Sequence, residues 1–160
     1  MKKRQKESLM ENEKQSITAA ELWQQSGLTG EYEAWSFSEA SDKLAALVKD
    51  GIKTATCSAY DLYEAGDEPL PKAGDYSVIL DSGGAAVCII QTTKVRVCTF
   101  AEVTAEHAFK EGEGNRSLAY WRKVHADFLT MELAMLHRTF TDKTKVVCEE
   151  FKVVFLPVSA

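Results

Sequence analysis

Hydrophobic and polar positions change their spacing several times along the 160 residues, and each spacing predicts an element. Apolar residues three and four apart between Ser38 and Gly51 predict a helix that Ser38 caps and Gly51 follows. Residues 53–57 then alternate between polar and apolar, which predicts a strand leaving the glycine turn. The chain therefore passes from helix to strand within a few residues of Gly51.

The remaining elements follow from the same patterns. Thr18 and Glu21 have the spacing of a capping box and predict a short helix that Gly27 ends. Residues 81–84 are a hairpin signal between two alternating segments. The other predicted elements are strands at 76–80, 86–97 and 145–155 and helices at about 103–110 and 117–136. Strands and helices do not alternate regularly, so we predict an α+β fold, a small mixed sheet or barrel with helices packed at its ends.

Composition limits the class of protein. Apolar residues make up 45% and charged residues 27%, which fits a globular domain that folds without a metal or disulfide. Residues 1–14 carry five basic and three acidic side chains and no apolar signal segment. We predict a flexible charged tail over residues 1–15 and a single domain over 16–160. Because every apolar run is shorter than the ~18 residues of a membrane span, we expect a cytoplasmic protein with no membrane partner.

Charge and cysteine usage narrow the partners. A net charge of −5 disfavours duplex DNA or RNA and leaves room for a nucleoside or a short single strand. No cysteine pair has the CxxC spacing, so we expect four buried thiols in a reducing compartment. A zinc site joining His107 to His125 or His137 lacks the usual ligand spacing. We therefore predict no metal and no cofactor, and the oligomeric state stays open.

The segment from Gly51 to Thr56 is the first candidate for chemistry. A glycine turn that runs from helix into strand exposes backbone amides and brings the chain close to a polar ligand. Lys53 and Ala55 share a strand face, so Lys53 could place its ammonium beside a cleft. Thr56 could add a hydroxyl if the strand start is bulged or twisted. An ordinary edge strand explains the same residues.

A second candidate lies at the end of the predicted helix over 103–110. His107 and Glu111 are four residues apart and share a helix face. Glycines at 112 and 114 would end the helix and free the Glu111 carboxylate, with Glu113 close behind. A partly buried carboxylate near a lysine is a plausible acid–base pair, because each shifts the pKa of the other. A helix end with a solvated acidic loop is the alternative.

The third candidate is the start of the next helix. Arg116, with Tyr120 or Trp121 one turn above it, could form a wall that pairs a phosphate and stacks a base. Core packing of the same helix face is the alternative interpretation. His125, one turn after Trp121, is interpreted as a hydrogen-bonded structural histidine.

The order of these segments resembles the ASCH domain family over about residues 35–155. The matching motifs are Gly51-x-Lys53-x-x-Thr56, the strand start Gly74-Asp75, His107-Ala108-x-x-Glu111-Gly112 and Arg116-Ser117-x-x-x-Trp121. The resemblance implies a PUA-like β-barrel with helices around a cleft, a fold associated with recognition of RNA and modified nucleosides.

The resemblance also implies a reaction. Small bacterial members include an amidohydrolase that removes the acetyl group of N4-acetylcytidine, and its catalytic residues match Lys53, Thr56 and Glu111. In that hypothesis Thr56 attacks the acyl carbonyl, Lys53 activates it or stabilises the oxyanion, and Glu111 orients Lys53 or relays the proton. Ser58 stands where that enzyme has arginine, and insertions at 60–72 and 116–138 lengthen the chain, so the cleft is expected to be remodelled.

The remaining residues of the predicted site are assigned to substrate binding. They are Gly51, Ser58, His107, Arg116, Tyr120 and Trp121. The expected partner is a modified nucleoside or short single-stranded RNA. Three alternatives remain open. They are a non-catalytic RNA or nucleotide-binding module, a ribonuclease on single-stranded RNA, as reported for another member of the family, and a protein-interaction module with no ligand.

Overall fold

The computed structural model describes residues 16–158, and within them the predicted α+β class is confirmed. The helices are α1 Ala19–Ser26, α2 Ser41–Lys49, α3 Tyr60–Ala65, α4 Ala105–Glu111 and α5 Leu118–Met135, with a 3₁₀ turn at Phe100–Glu102. The strands are β1 Glu33–Trp35, β2 Ala55–Ala59, β3 Tyr76–Leu80, β4 Ala86–Thr99 and β5 Lys145–Phe155. The predicted tail at 1–15 lies outside the described residues. None of the described helices combines the length and the apolar character that crossing a membrane requires.

The strands hydrogen-bond in the order β1-β3-β4-β5-β2. β1 runs parallel to β3, whereas β2 runs antiparallel to β5, so the sheet is mixed. The chain forms two compact units, and in the described range the first comprises residues 16–49, 76–90 and 153–158. The second comprises residues 50–75 and 91–152 and contains every residue of the candidate site.

In the first unit, α1 has the predicted ends. The Thr18 side chain accepts the Glu21 N–H, and Gly27 ends the helix with φ 71°. Leu22 of α1 packs into a cluster with Val78 and Ile89. The predicted turn at 81–84 also forms, and the Asp81 carboxylate accepts the N–H groups of Gly83 and Ala85.

The sequence patterns misplace the start of α2 and miss two elements. Ser38 is not the cap, because the helix begins at Ser41. Ala40, predicted to lie on the apolar stripe, has a positive φ of 46° just before the first turn. β1 and α3 have no strong periodicity, since β1 has three residues and α3 six, and no described residue of α3 is fully buried.

In the second unit, α4 and α5 both pack on β2. Alternate residues of β2 are buried, and Cys57 and Ala59 join a core with Trp121. α4 begins at Ala105, directly after its cap Thr104, and ends where Gly112 takes φ 73°. This end of α4 places Glu111 in the last helical turn, facing the protein interior rather than solvent.

Candidate functional site

Lys53 lies at the centre of the site. Its side chain is 1% exposed, and Nζ lies 3.1 Å from Glu111 Oε1 and 3.1 Å from Glu113 Oε2. The backbone holds this arrangement, because the Thr54 N–H donates to the Lys110 carbonyl at 2.7 Å. Gly51 supplies the preceding turn with φ 74°, a left-handed conformation that favours glycine. The segment after α2 is thus tied directly to the end of α4.

Glu111 has partners for both carboxylate oxygens. Oε1 accepts the Lys53 hydrogen bond and lies 3.4 Å from His125 Nε2. Oε2 lies 2.8 Å from His107 Nε2 and accepts the indole N–H of Trp121. Burial alone would raise the pKa of Glu111, but the Lys53 charge and the histidine hydrogen bonds outweigh it and hold the pKa well below its ordinary value. Glu111 is therefore a buried carboxylate that stays ionised.

His125 is a further partner of this carboxylate, in addition to Lys53. Burial lowers its pKa, yet the hydrogen bond and charge of Glu111 outweigh burial and raise the pKa above its ordinary value of 6.5. Because the folded pKa is raised, the stabilisation from charged His125 is complete below pH 6.5 and is lost as the pH rises through the folded pKa. His125 was interpreted as structural from the sequence, and it is hydrogen-bonded to the Trp121 carbonyl at 2.9 Å. It also faces Glu111, a role that its spacing did not indicate.

A cavity of about 140 Å³ lies beside this network. Its lining comprises Lys94, Arg96, Cys98, Val103, Thr104, Glu106, His107, Lys110, Cys148 and Glu150. His107 belongs both to this wall and to the hydrogen-bond network of Glu111. Lys110 lies 2.5 Å from Glu150 and 3.0 Å from Glu106, so part of the positive charge is neutralised within the cavity wall.

Of the predicted catalytic residues, the structure brings Lys53 and Glu111 together. Thr56 alternates with Cys57 along β2, so its side chain is directed to the other face of the strand from the thiol. No hydrogen bond joins its hydroxyl to Lys53 or Glu111 among the residues that the structure describes. Ser58 lies on the same face as Thr56, and its hydroxyl is 2.8 Å from the Tyr63 hydroxyl.

Arg116 is held at the junction of α4 and the Lys53 segment. Its Nε donates to the Phe109 carbonyl at 2.9 Å, and an Nη donates to the Ile52 carbonyl at 3.4 Å. The guanidinium also lies 3.7 Å from the centre of the Phe109 ring. This arginine therefore ties together the two segments that carry the buried ion pairs.

The two aromatic residues of the predicted wall, Tyr120 and Trp121, differ in how far they are exposed to solvent. Trp121 is 2% exposed and lies between His125 at 4.2 Å and Phe100 at 5.3 Å, measured between ring centroids. Its ring has no face open to a base, so core packing is the correct interpretation for this residue, with the indole N–H directed to Glu111. Tyr120 remains 38% exposed.

Glu113 also belongs to the site, although it was not among the predicted site residues. Ligand atoms of Glu111, Glu113 and His125 lie within 4.8 Å of one another. The Lys53 ammonium bonds both carboxylates, so it provides the positive charge that a cation would otherwise supply there. In the sequence, Glu113 stands out only because glycines flank it at 112 and 114. Its contact with Lys53 is evident only from the fold.

The chain is similar in fold and sequence to solved structures. A crystal structure of an ASCH domain from Lactobacillus crispatus JV V101 aligns with a TM-score of 0.80 and 29% identity, covering 85% of this chain and 93% of the other. A protein from Enterococcus faecalis V583 aligns with a TM-score of 0.77 and 37% identity, covering 86% and 85%. No curated protein matches the sequence significantly. These similarities confirm the predicted PUA-like fold class.

The family model of the ASCH domain matches residues 33–155. The chain therefore belongs to the ASCH domain family, whose members are generally RNA-binding. The predicted resemblance is confirmed over nearly the range proposed from the motifs.

Proposed function

We propose that this protein binds short single-stranded RNA, or a modified nucleotide within it, through the cavity beside His107. The observation that carries the proposal is the clustering of Lys94, Arg96 and Lys110 around one cavity in a chain whose net charge is −5. Cationic side chains around a small concavity favour phosphate, since phosphate contacts supply most of the affinity of proteins for nucleic acids.

The size and charge of the cavity favour a short ligand. Glu106 and Glu150 also line it and pair with Lys110, so the positive field is local rather than a continuous stripe. A long duplex needs an extended basic surface, whereas one or two phosphates need only a few cations. His107 and Thr104 add hydrogen-bonding groups at the same wall.

The free cysteines support the expected cytoplasmic location, where thiols stay reduced.

Substitution of two cavity cations is expected to weaken RNA binding. Lys94→Ala/Arg96→Ala should reduce affinity for a labelled single strand of about eight nucleotides by about tenfold. The slope of log affinity against log salt should fall by about one to two, because fewer counterions are released. Fluorescence anisotropy over a series of salt concentrations measures both quantities.

The matched control is Lys43→Ala/Lys49→Ala, which removes the same charge from exposed positions on α2. This control is expected to bind nearly as well as the wild type. Equal losses in the two double variants would mean that net charge alone drives binding, and no binding by the wild type would contradict the proposal.

Amide hydrolysis is a second candidate function, favoured by the buried Lys53–Glu111 pair at 3.1 Å. The reaction would proceed as the family resemblance implies. The Thr56 hydroxyl oxygen bonds the acyl carbon of N4-acetylcytidine, the bond from that carbon to N4 breaks, and cytidine leaves with the hydroxyl proton. Water then hydrolyses the ester, releasing acetate and restoring the threonine. Lys53 would stabilise the oxyanion, with Glu111 holding it in place.

Thr56→Val tests this candidate without disturbing the buried charges. If the hydroxyl is the nucleophile, release of cytidine should fall by a factor on the order of 100 or more, with an unchanged urea midpoint. Thr130→Val on the exposed face of α5 serves as the control and should keep full turnover. Chromatography of the nucleoside products gives the rates. Turnover retained in Thr56→Val would exclude this nucleophile, and no turnover in the wild type would leave binding as the function.

A further inference from the structure

Three thiols form a row across adjacent strands of the second unit. Cys98 lies on β4, Cys148 on the neighbouring β5 and Cys57 on β2 beyond it. All three are buried in the same core, and all are free thiols. Cys148 lies on the strand between those of the other two thiols. The proposed function uses none of these sulfur atoms.

The register of β2 and β5 suits a bond between two of them. Cys57 lies directly opposite Cys148. The Phe151 N–H donates to the Thr54 carbonyl at 3.0 Å, which places residues 54 and 151 at a hydrogen-bonded position of the ladder. Pair types alternate along an antiparallel ladder, so Cys57 and Cys148, three positions on, form a non-hydrogen-bonded pair. The Cα atoms of such pairs are about 4.5 Å apart, within the range that a disulfide accepts.

The surroundings distinguish the three thiols. Cys98 and Cys148 line the cavity with His107, whereas Cys57 does not. The hydrogen bond to Cys57 is the main cause that lowers the pKa of Cys148, and His107 and Cys98 lower it further. Burial and the Glu111 charge raise it by less, so the pKa of Cys148 is about 7. The hydrogen bond to Cys148, together with burial, raises the pKa of Cys57 well above its ordinary value. Burial is the main cause that raises the pKa of Cys98 to about 11. Cys148 therefore combines a lowered pKa with a place in the cavity wall, where a small solute can reach it.

We propose that Cys148 is a site of oxidation by hydroperoxides and that Cys57 converts the product to a cross-strand disulfide. The Cys148 thiolate attacks one oxygen of hydrogen peroxide, a sulfur–oxygen bond forms, the oxygen–oxygen bond breaks, and hydroxide leaves to take a proton as water. The Cys57 sulfur then attacks the Cys148 sulfur. The sulfur–oxygen bond breaks, and the oxygen leaves as water with the Cys57 proton. Two thiols are oxidised by two electrons, and one peroxide is reduced to two waters.

The consequence for the molecule is a reversible covalent link between β2 and β5 at the wall of the cavity. β2 also follows the segment that carries Lys53, so the link fixes the strand next to the buried ion pairs. A thiol-based reductant would reopen it, because exchange with a free thiolate restores both cysteines.

The test treats the reduced full-length protein with hydrogen peroxide at neutral pH and maps its peptides after alkylation of the remaining thiols. The wild type is expected to lose two thiols and to yield a linked peptide that contains Cys57 and Cys148. Cys57→Ser should instead accumulate a sulfenic acid on Cys148, which dimedone traps. Cys148→Ser should lose thiols at least about tenfold more slowly, since the thiolate is the reacting form.

Cys88→Ser is the matched control, because Cys88 is buried in the first unit and burial raises its pKa to about 12. This variant should behave like the wild type. A linked peptide joining Cys98 to Cys148, or a wild type that keeps all its thiols, would overturn the proposal. The wild-type peptide map decides the matter even if a serine variant fails to fold.

Discussion

Replacing Lys53 with methionine is expected to lower the free energy of unfolding by about 3–5 kcal/mol. Methionine nearly matches the length of the lysine side chain and removes the ammonium group, with its charge and its hydrogen bonds to Glu111 and Glu113. The Glu111 carboxylate, 1% exposed, would then lose the ammonium that lies 3.1 Å away. A buried charge without its partner is strongly destabilising, because water no longer solvates it. Urea unfolding followed by tryptophan fluorescence and circular dichroism measures the change.

A double-mutant cycle isolates the interaction. Lys53→Met/Glu111→Gln removes both charges, so it should be more stable than the sum of the two single variants predicts. Lys94→Met is the control, since Lys94 is 67% exposed and lies 3.8 Å from Glu150. The free energy of unfolding of Lys94→Met should fall by no more than about 1 kcal/mol. If Lys53→Met were as mild as this control, or if the two single effects simply added, the pair would not stabilise the fold.

The loss of stability caused by Lys53→Met also depends on pH, and the pKa of Glu111 determines the direction of that dependence. The pKa of Glu111 in the folded protein is lowered well below its ordinary value of 4.5. A lowered pKa contributes stability that is fully present above pH 4.5 and is lost as the pH falls through the folded pKa. The difference in stability between the wild type and Lys53→Met should therefore shrink as the pH falls below 4.5.

The elements with strong local signals could be predicted from the sequence. β3 and β5 have the predicted bounds, because their alternation is continuous and turn residues flank them. The glycines after α1 and α4 end those helices, since the left-handed conformation favours glycine there. The predicted start of α2 is wrong. Ser38 is a good cap by residue type, but Ala40 has a positive φ and the helix begins only at Ser41.

The candidate site depended on contacts that local patterns do not carry. Lys53 and Glu111 are 58 positions apart, and only the family resemblance paired them. The direction of His125 towards Glu111 depends on how α5 packs against α4, which a single sequence does not define. Trp121 shows the same limit, because its position on an apolar face predicted burial but not the partner of its indole N–H.

Replacing Gly112 with alanine is expected to cost about 2–5 kcal/mol and to disturb the site as well. Gly112 has φ 73°, where an L-residue costs about 1–2 kcal/mol. A Cβ there would also lie 2.6 Å from the Ile52 carbonyl oxygen and 2.9 Å from its carbon, a contact with backbone that cannot rotate away. Overpacking of this kind adds about 1–3 kcal/mol.

Gly51→Ala separates the two causes. Gly51 has φ 74° and belongs to the same unit, yet a Cβ there meets no atom within 4 Å. It should cost about 1–2 kcal/mol, the backbone effect alone. The excess in Gly112→Ala then measures the contact with Ile52, whose carbonyl also accepts the Arg116 hydrogen bond. Equal urea midpoints for the two variants would show that the end of α4 can move away from the Lys53 segment. In that case the close approach of these two backbones does not hold Lys53 against Glu111.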